Sequence, residues 1–143
     1  MNTTPGPAAS LSDRLRGVNR TLVGVLSAVA LIRPLFSIVG LSDALGKPAA
    51  PLLLTAGVSL TWILVVGLRR DREPLLTLIA AGVGYALATI VLSAILSPLL
   101  TGELQGPLAK PYAIVPLLLV NILWGAACGG LALALRALRN RGR

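Results

Sequence analysis

Histidine is absent from this sequence of 143 residues, and cysteine occurs once. Without histidine, the chain lacks the commonest general base and the commonest metal ligand of proteins. The one cysteine, Cys128, cannot form a disulfide within the chain, and no group of residues has the spacing of a metal site. The sequence therefore predicts no metal site and no cofactor.

Acidic residues are also scarce, with five Asp and Glu in the whole chain. All of them lie outside the long apolar runs, no two form an evident acid–base pair, and the serines have no histidine to activate them. We therefore expect no catalytic residues and a protein that is not an enzyme. Proton-coupled transport is disfavoured for a related reason, because no acidic residue or histidine lies in an apolar run to carry the proton.

Positive charge is in excess, with 13 Lys and Arg and a net charge of +8. A nucleic-acid partner is nevertheless not expected, because the basic residues are separated by long apolar runs. Only one Phe, two Tyr and two Trp are available for base stacking. Hydrophobic residues make up 55% of the chain and charged residues 13%, whereas a soluble domain has about 25% charged residues. The composition is that of a membrane protein.

Four apolar runs are long enough to cross a bilayer, which takes about 20 residues. They cover residues 21–41, 51–68, 74–97 and 113–135. They predict an all-α, integral membrane four-helix bundle between a disordered, basic segment 1–20, which could include a short amphipathic lead-in helix, and a basic tail 136–143. The first run could also be a signal peptide, but Arg33 and Pro34 follow where a cleavage site needs small residues, so we expect a retained span.

Basic residues in the flanks and loops predict the orientation of the spans. Three arginines precede the first run, three lie between the second and third, and four follow the fourth, whereas the opposite loops hold only Lys47 and Lys110. Both termini are therefore predicted to be cytoplasmic. The arginines interpreted as topology anchors are Arg69, Arg70, Arg72, Arg136 and Arg139. Arginine far outnumbers lysine, which is typical of GC-rich bacterial genomes, so we expect a multi-pass protein of a bacterial plasma (inner) membrane.

The two outer loops have similar sequences. "DALGKP" at residues 43–48 and "ELQGPLAKP" at residues 103–111 both run from an acidic residue through Gly to Lys-Pro. An ancient duplication would make the two halves parallel hairpins related by an axis along the membrane normal. A chance likeness is the alternative.

Small residues recur every four positions in the third and fourth runs. Such faces let membrane helices approach closely. The spacing predicts that these two spans pack together, either within one chain or between chains. The predicted packing residues are Ala80, Gly84, Ala88, Gly125 and Gly129.

Arg33 is the one charged residue within an apolar run, and Pro34 follows it. Because Pro34 lacks an amide hydrogen, the carbonyl group of Ala30 loses its helical partner, which the guanidinium could replace. Arg33 lies about 12 Å below the outer end of its span, and each other span has a polar residue at a similar depth. The candidate polar layer for contact with a ligand or partner is Arg33, Pro34, Ser59, Thr89 and Asn121. Residues that could extend this layer outward are Ser37, Thr55, Ser93 and Ser97.

No acidic residue lies at the depth of Arg33, so the sequence leaves its counter-ion open. Arg33 could turn outward and pair with Asp43 or Glu103 of the outer loops. It could instead contact an acidic group of a partner subunit, or bind an anion or an acidic lipid headgroup.

Two functions remain after these exclusions. The first is a small, non-enzymatic accessory or scaffold subunit that packs against a membrane protein partner, which its small size, short loops and small-residue helix faces favour. The alternative is a small homo-oligomeric channel or carrier with Arg33 in the pathway, where arginine would favour anions. Membrane lipid is an expected partner in both cases.

Overall fold

The structure, a computed structural model, describes residues 10–44, 46, 48–69 and 71–142. Of these residues 82% lie in helices, and they contain no strand, which confirms the prediction of an all-α fold. The helices are α1 (Leu11–Arg16), α2 (Arg20–Ala30), α3 (Ile32–Ile38), α4 (Leu41–Ala44), α5 (Ala49–Leu68), α6 (Pro74–Thr101) and α7 (Ile114–Arg141). A single 3₁₀ turn, Pro111–Ala113, leads into α7.

Four segments are long and apolar enough to span a membrane, as predicted. They are Arg20–Ile38, Ala49–Leu68, Pro74–Thr101 and Pro111–Arg141. Large apolar side chains point outward along all of them; Leu53, for example, is 72% exposed and Leu52 65% exposed. A bundle that is apolar inside and outside is suited to lipid rather than water. These features indicate a multi-pass membrane protein.

Several segment boundaries differ from the predicted ones: the first span ends at Ile38 rather than at residue 41, and the second begins at Ala49 rather than at residue 51. The largest differences are at the ends of the third and fourth helices. The third helix continues past Ser97 to Thr101, because Pro98 is accommodated within its last turn and Gly102 ends it with a positive φ of 75°. The fourth helix continues past Leu135 to Arg141, beyond the apolar run. The segment 1–20 contains a helix, α1, whose N-terminus is capped by the side chain of Ser10. Residues 1–9, for which disorder was expected, lie outside the described part.

The spans are arranged around a ring in the order first, third, fourth, second. The first span packs mainly through α2 on α6, α6 packs along α7, and α7 packs on α5. Contact between α5 and the first span is smaller. Both halves of the chain are helical hairpins, but only the second has an extensive interface within the hairpin. The parallel repeat stays a prediction.

Glycines set the close approach of α6 and α7. A Cβ atom added to Gly125 would lie 2.9 Å from the carbonyl carbon of Leu78, and one added to Gly82 would lie 3.1 Å from the carbonyl carbon of Asn121. Gly129 lies against the backbone of Leu75 in the same interface. The predicted packing of the third span on the fourth is therefore present within one chain.

The other predicted packing residues have different surroundings. Gly84 faces the first span, where a Cβ atom would lie 2.6 Å from the hydroxyl oxygen of Ser27. That hydroxyl donates a hydrogen bond to the carbonyl oxygen of Ala81 across the helix pair. Ala80 and Ala88 are half-buried.

Aromatic side chains fill the centre of the bundle. Trp62 is 0% exposed, and its ring stacks on that of Trp124 with 4.6 Å between the centroids. Tyr85 meets Trp124 edge-on, with 5.8 Å between the centroids. The indole N–H of Trp62 donates to the carbonyl oxygen of Leu26, 3.0 Å away on α2. Since these three rings lie between all four spans, the interior holds packed side chains rather than a channel.

Two predicted topology anchors, Arg136 and Arg139, make specific contacts with the end of α5, and their role as anchors stays a prediction. Arg136 donates to the carbonyl oxygens of Val66, Arg69 and Asp71 at 2.9, 2.6 and 2.7 Å. Arg139 donates to the carbonyl oxygen of Leu68 at 3.2 Å. The last carbonyl groups of a helix have no intrahelical partners, so these arginines supply the missing donors.

The same end of the bundle holds the N-terminal segment. Arg14 of α1 contacts Glu73, which precedes α6, at 2.8 Å. The side chains of Arg69 and Arg72 are exposed there, and Arg70 lies outside the described residues. The arginine-rich segments therefore meet at one end, and the membrane side that this end faces stays a prediction.

Candidate functional site

A break in the first span positions Arg33. Helix α2 ends at Ala30 and α3 begins at Ile32, with Leu31 between them. The N–H of Leu31 bonds to the carbonyl oxygens of both Ser27 and Ala28, which tightens the last turn of α2. Pro34 lies in the first turn of α3, where its missing N–H removes no bond within that helix. Arg33 therefore lies in the first turn of a new helix, close to the end of its span.

Arg33 lies at the edge of an outward-opening cleft of about 340 Å³. Its polar lining consists of Arg33 together with the hydroxyl-bearing residues Ser37, Tyr85, Thr89 and Ser93. Three prolines and an isoleucine complete the wall: Pro34, Ile38, Pro51 and Pro107. The cleft, called the Arg33 cleft below, thus combines one cation and several hydroxyl groups with a rigid apolar rim.

The loop between α6 and α7 covers one side of the Arg33 cleft. The hydroxyl of Ser93 donates to the carbonyl oxygen of Gln105 at 3.1 Å. Gly106, with a φ of 84°, lies directly against Ser93, where a Cβ atom would meet the Cβ of Ser93 at 3.1 Å. This close approach places Pro107 at the rim. The outer loop is therefore held on the bundle rather than extending away from it.

Thr89 and Thr77, both on α6, differ from several other hydroxyl-bearing residues of the spans, and of the two only Thr89 lines the cleft. The Oγ1 atom of Thr89 is buried and has no hydrogen-bond partner among the described residues. By contrast, Thr55, Ser59 and Thr61 each donate to the carbonyl oxygen four residues earlier. A buried hydroxyl without a partner costs about 1–3 kcal/mol, so a ligand that accepts this hydrogen bond would recover part of that cost.

Arg33 makes no hydrogen bond or ion pair with another described residue. Its guanidinium therefore does not satisfy the break at Ala30 through a described contact. Glu103 is exposed and not paired with Arg33. The side chain of Asp43 lies outside the described part, as does Lys47. No carboxylate belongs to the described lining of the cleft, so the electrostatic character of these walls is positive.

Two members of the predicted polar layer lie away from the cleft. Ser59 accepts a hydrogen bond from the indole N–H of Trp124 at 2.9 Å. Asn121 is 5% exposed, and its side-chain amide donates to the carbonyl oxygen of Leu117 at 2.7 Å. Both polar groups are used within the bundle. The structure thus brings together Arg33, Pro34 and Thr89, with Ser37 and Ser93 from the outer extension.

Sequence reasoning missed Tyr85 and the two outer prolines, Pro51 and Pro107. Tyr85 lies one helical turn before Thr89 on α6, so the two side chains share a face. That spacing was the signal available in the sequence. Nothing in the sequence indicated that Pro51 and Pro107, which are distant along the chain, would approach the first span.

The ion pair between Arg14 and Glu73 lies at the opposite end of the bundle. The guanidinium donates to both carboxylate oxygens of Glu73, at distances between 2.8 and 3.2 Å. The hydrogen bond from Arg14, with the attraction of its charge, holds the pKa of Glu73 below its usual value. The same contacts raise the pKa of Arg14. This pair joins α1 to the start of α6.

No family model matches the chain, and neither the curated proteins nor the solved structures include a significantly similar protein. The lining of the Arg33 cleft offers hydrogen-bond donors and one cation, with no described base beside a hydroxyl nucleophile. Such a set of residues can bind an acidic group.

Proposed function

We propose that this protein is a small, non-enzymatic accessory or scaffold subunit of a bacterial plasma membrane that packs against a membrane protein partner. One observation carries the proposal. The centre of the bundle is filled by Trp62, Trp124 and Tyr85, whereas Arg33, a cation with no described partner, lies on a cleft that opens outward. The charged group of Arg33 is therefore available to another molecule beside the bundle rather than to the interior of the bundle.

The energetic cost of a charge in the membrane supports this proposal. A charged side chain within the hydrocarbon region costs about 2.5–3.5 kcal/mol even on the lowest scales. An acidic group from outside the chain would offset that cost by pairing with Arg33. The broad outward-facing apolar surfaces of α5 and α6 would then provide the packing area against the partner.

A homo-oligomeric anion channel is the second candidate. The packed aromatic centre argues against a pathway through one bundle, so the pathway would have to run between subunits. The positive charge of Arg33 favours an anion over a cation in such a pathway.

Gentle extraction with a C-terminal tag and mass measurement of the complex separates the two candidates. The accessory role predicts a stoichiometric larger partner, whose recovery falls at least about fivefold in Arg33→Ala and remains in Arg69→Ala. Arg69 is a matched control because its side chain is exposed at the opposite end. Equal recovery from both variants would contradict the role given to Arg33. A homo-oligomer without a partner would favour the channel, to be tested by anion flux.

A further inference from the structure

We propose that the Arg33 cleft binds the phosphate group of an anionic glycerophospholipid. This inference rests on the proposed function only in treating the cleft as an outward-facing contact site. It names the acidic group that reaches Arg33 in the isolated chain, whether or not a protein partner is present.

The hydrogen-bonding groups of the cleft fit a phosphate oxyanion. The guanidinium of Arg33 can donate two parallel hydrogen bonds to two phosphate oxygens. The Oγ1 atom of Thr89 is buried without a described partner. Rotation about the Cα–Cβ bond of Thr89 would turn its hydroxyl toward a phosphate oxygen in the cleft, and Ser37 adds a second hydroxyl to the lining. A phosphate group offers several acceptor oxygens, so it can satisfy these donors together.

The start of α5 adds to the positive potential. Pro51 lies in the first turn of this 20-residue helix and lines the cleft. The N-terminal end of a helix carries a partial positive charge, and the first turn of α5 contains no acidic residue. The described walls also lack a carboxylate that could bind the ammonium group of a zwitterionic headgroup. The cleft therefore favours a headgroup without a cation.

The position of the cleft along the bundle matches the depth of lipid phosphates. Arg33 lies five residues before the end of α3 at Ile38, which corresponds to about 8 Å along the helix. The headgroup layer is about 5–7 Å thick on each side of the hydrocarbon core, and an arginine side chain can extend several ångströms toward it. Phosphate groups of the surrounding bilayer are thus within reach of the guanidinium.

Apolar surface next to the cleft provides the place for acyl chains. Leu35 of α3 and Leu52 of α5 are exposed, and each directly follows a lining residue, Pro34 or Pro51. A lipid with its phosphate in the cleft would lay its chains on this surface. Inorganic phosphate has no acyl chains that could cover this apolar surface, so the surface favours a lipid as the source of the phosphate.

Native mass spectrometry of the full chain tests the proposal, with phosphatidylglycerol as the probe and phosphatidylcholine as the zwitterionic comparison. We expect one phosphatidylglycerol molecule to be retained in preference to phosphatidylcholine. Arg33→Ala should weaken this binding by at least about tenfold, the usual effect of losing a charge-assisted hydrogen bond. Thr89→Val, which preserves shape, should weaken it by about threefold to tenfold.

Two control variants separate the cleft from general attraction to the basic end of the bundle. Arg69→Ala removes a cation at the opposite end, and Thr61→Val removes an exposed hydroxyl that already bonds within its helix. Both should retain the lipid. Circular dichroism of each variant checks that the bundle is folded.

The outcomes distinguish the sources of phosphate and the two proposals. Displacement of the lipid by millimolar inorganic phosphate would show that the cleft takes the free anion, which would overturn the lipid as its ligand. Retention of phosphatidylglycerol by Arg33→Ala and Thr89→Val would overturn the site itself. If a protein partner depends on Arg33 while no lipid does, the accessory role stands and the phosphate site is wrong.

Discussion

Substitution of Gly125 by alanine should separate α6 from α7 and destabilise the bundle. The new Cβ atom would lie 2.9 Å from the carbonyl carbon of Leu78 and 3.0 Å from the Cα of Ile79, and closer still to the carbonyl oxygen of Leu78. Ordinary contact begins at 3.4 Å, so the helices must separate by at least about 0.5 Å. Neither neighbour is a flexible side chain, because all these atoms are backbone.

The energetic cost of this separation follows from the loss of packing along the interface. Overpacking a well-packed core by one methyl group costs about 1–3 kcal/mol. The upper half of that range applies here, because two helical backbones must move together and no side chain can rotate away. We therefore expect Gly125→Ala to lower the free energy of unfolding by about 2–3 kcal/mol.

Equilibrium unfolding in mixed micelles, followed by tryptophan fluorescence, measures this change. Trp124 is adjacent to Gly125 and stacks on Trp62, so its emission reports the same interface. The matched control is Gly130→Ala, on the same helix, where a Cβ atom would have no neighbour within 4 Å. If Gly125→Ala were as stable as Gly130→Ala, the close packing of α6 on α7 would be refuted.

Two further predictions concern the arginine-rich end. Arg136→Ala should lower the free energy of unfolding by about 1–3 kcal/mol because carbonyl groups at the end of α5 lose their donor. The same unfolding assay measures this change, with Arg141→Ala as the control because Arg141 is exposed. An equal effect from the two substitutions would contradict this role of Arg136. The pair of Arg14 with Glu73 should hold α1 against α6 above the usual pKa of Glu and release it as the pH falls through the lowered pKa of Glu73. Distances between spin labels on α1 and α6 measure this release, and Glu73→Gln should abolish its pH dependence; a release unchanged by Glu73→Gln would exclude the pair as its cause.

The fold was predictable because hydrophobic length alone defines membrane spans. Four apolar runs of about 20 residues admit few structures other than four helices, since backbone polar groups in lipid need partners within the helix. The helix ends were less predictable. Helix α7 continues to Arg141 because its final turns lie at the basic end of the bundle, where apolar composition is no longer required.

The faces of the helices could not be read from the sequence in the same way. Both α6 and α7 are apolar on every side, so composition does not distinguish the buried face from the lipid-facing one. A spacing of four residues selected Gly84, whereas Gly82, two positions earlier, makes the closest approach to α7. Only the packed structure shows which of the two glycines faces α7.

The sequence predicted the depth of the candidate site residues in the membrane, but not the direction in which each side chain points. Counting residues placed Arg33, Ser59, Thr89 and Asn121 at one level, but depth says nothing about rotation around each helix axis. Ser59 and Asn121 point into the bundle and find partners there, whereas Thr89 lines the cleft. The contribution of Pro107 depends on how the outer loop folds back over Ser93, which no local pattern in the sequence encodes.

The ring order of the spans has a consequence for biosynthesis. The first span depends mainly on α6 for its contacts and α5 depends mainly on α7, while the first hairpin has little interface of its own. The first hairpin is therefore expected to complete its packing only after the second hairpin has entered the bilayer. The later hairpin, joined through its glycines, provides the packing surfaces for both earlier spans, so the native assembly of the bundle depends on α6 and α7.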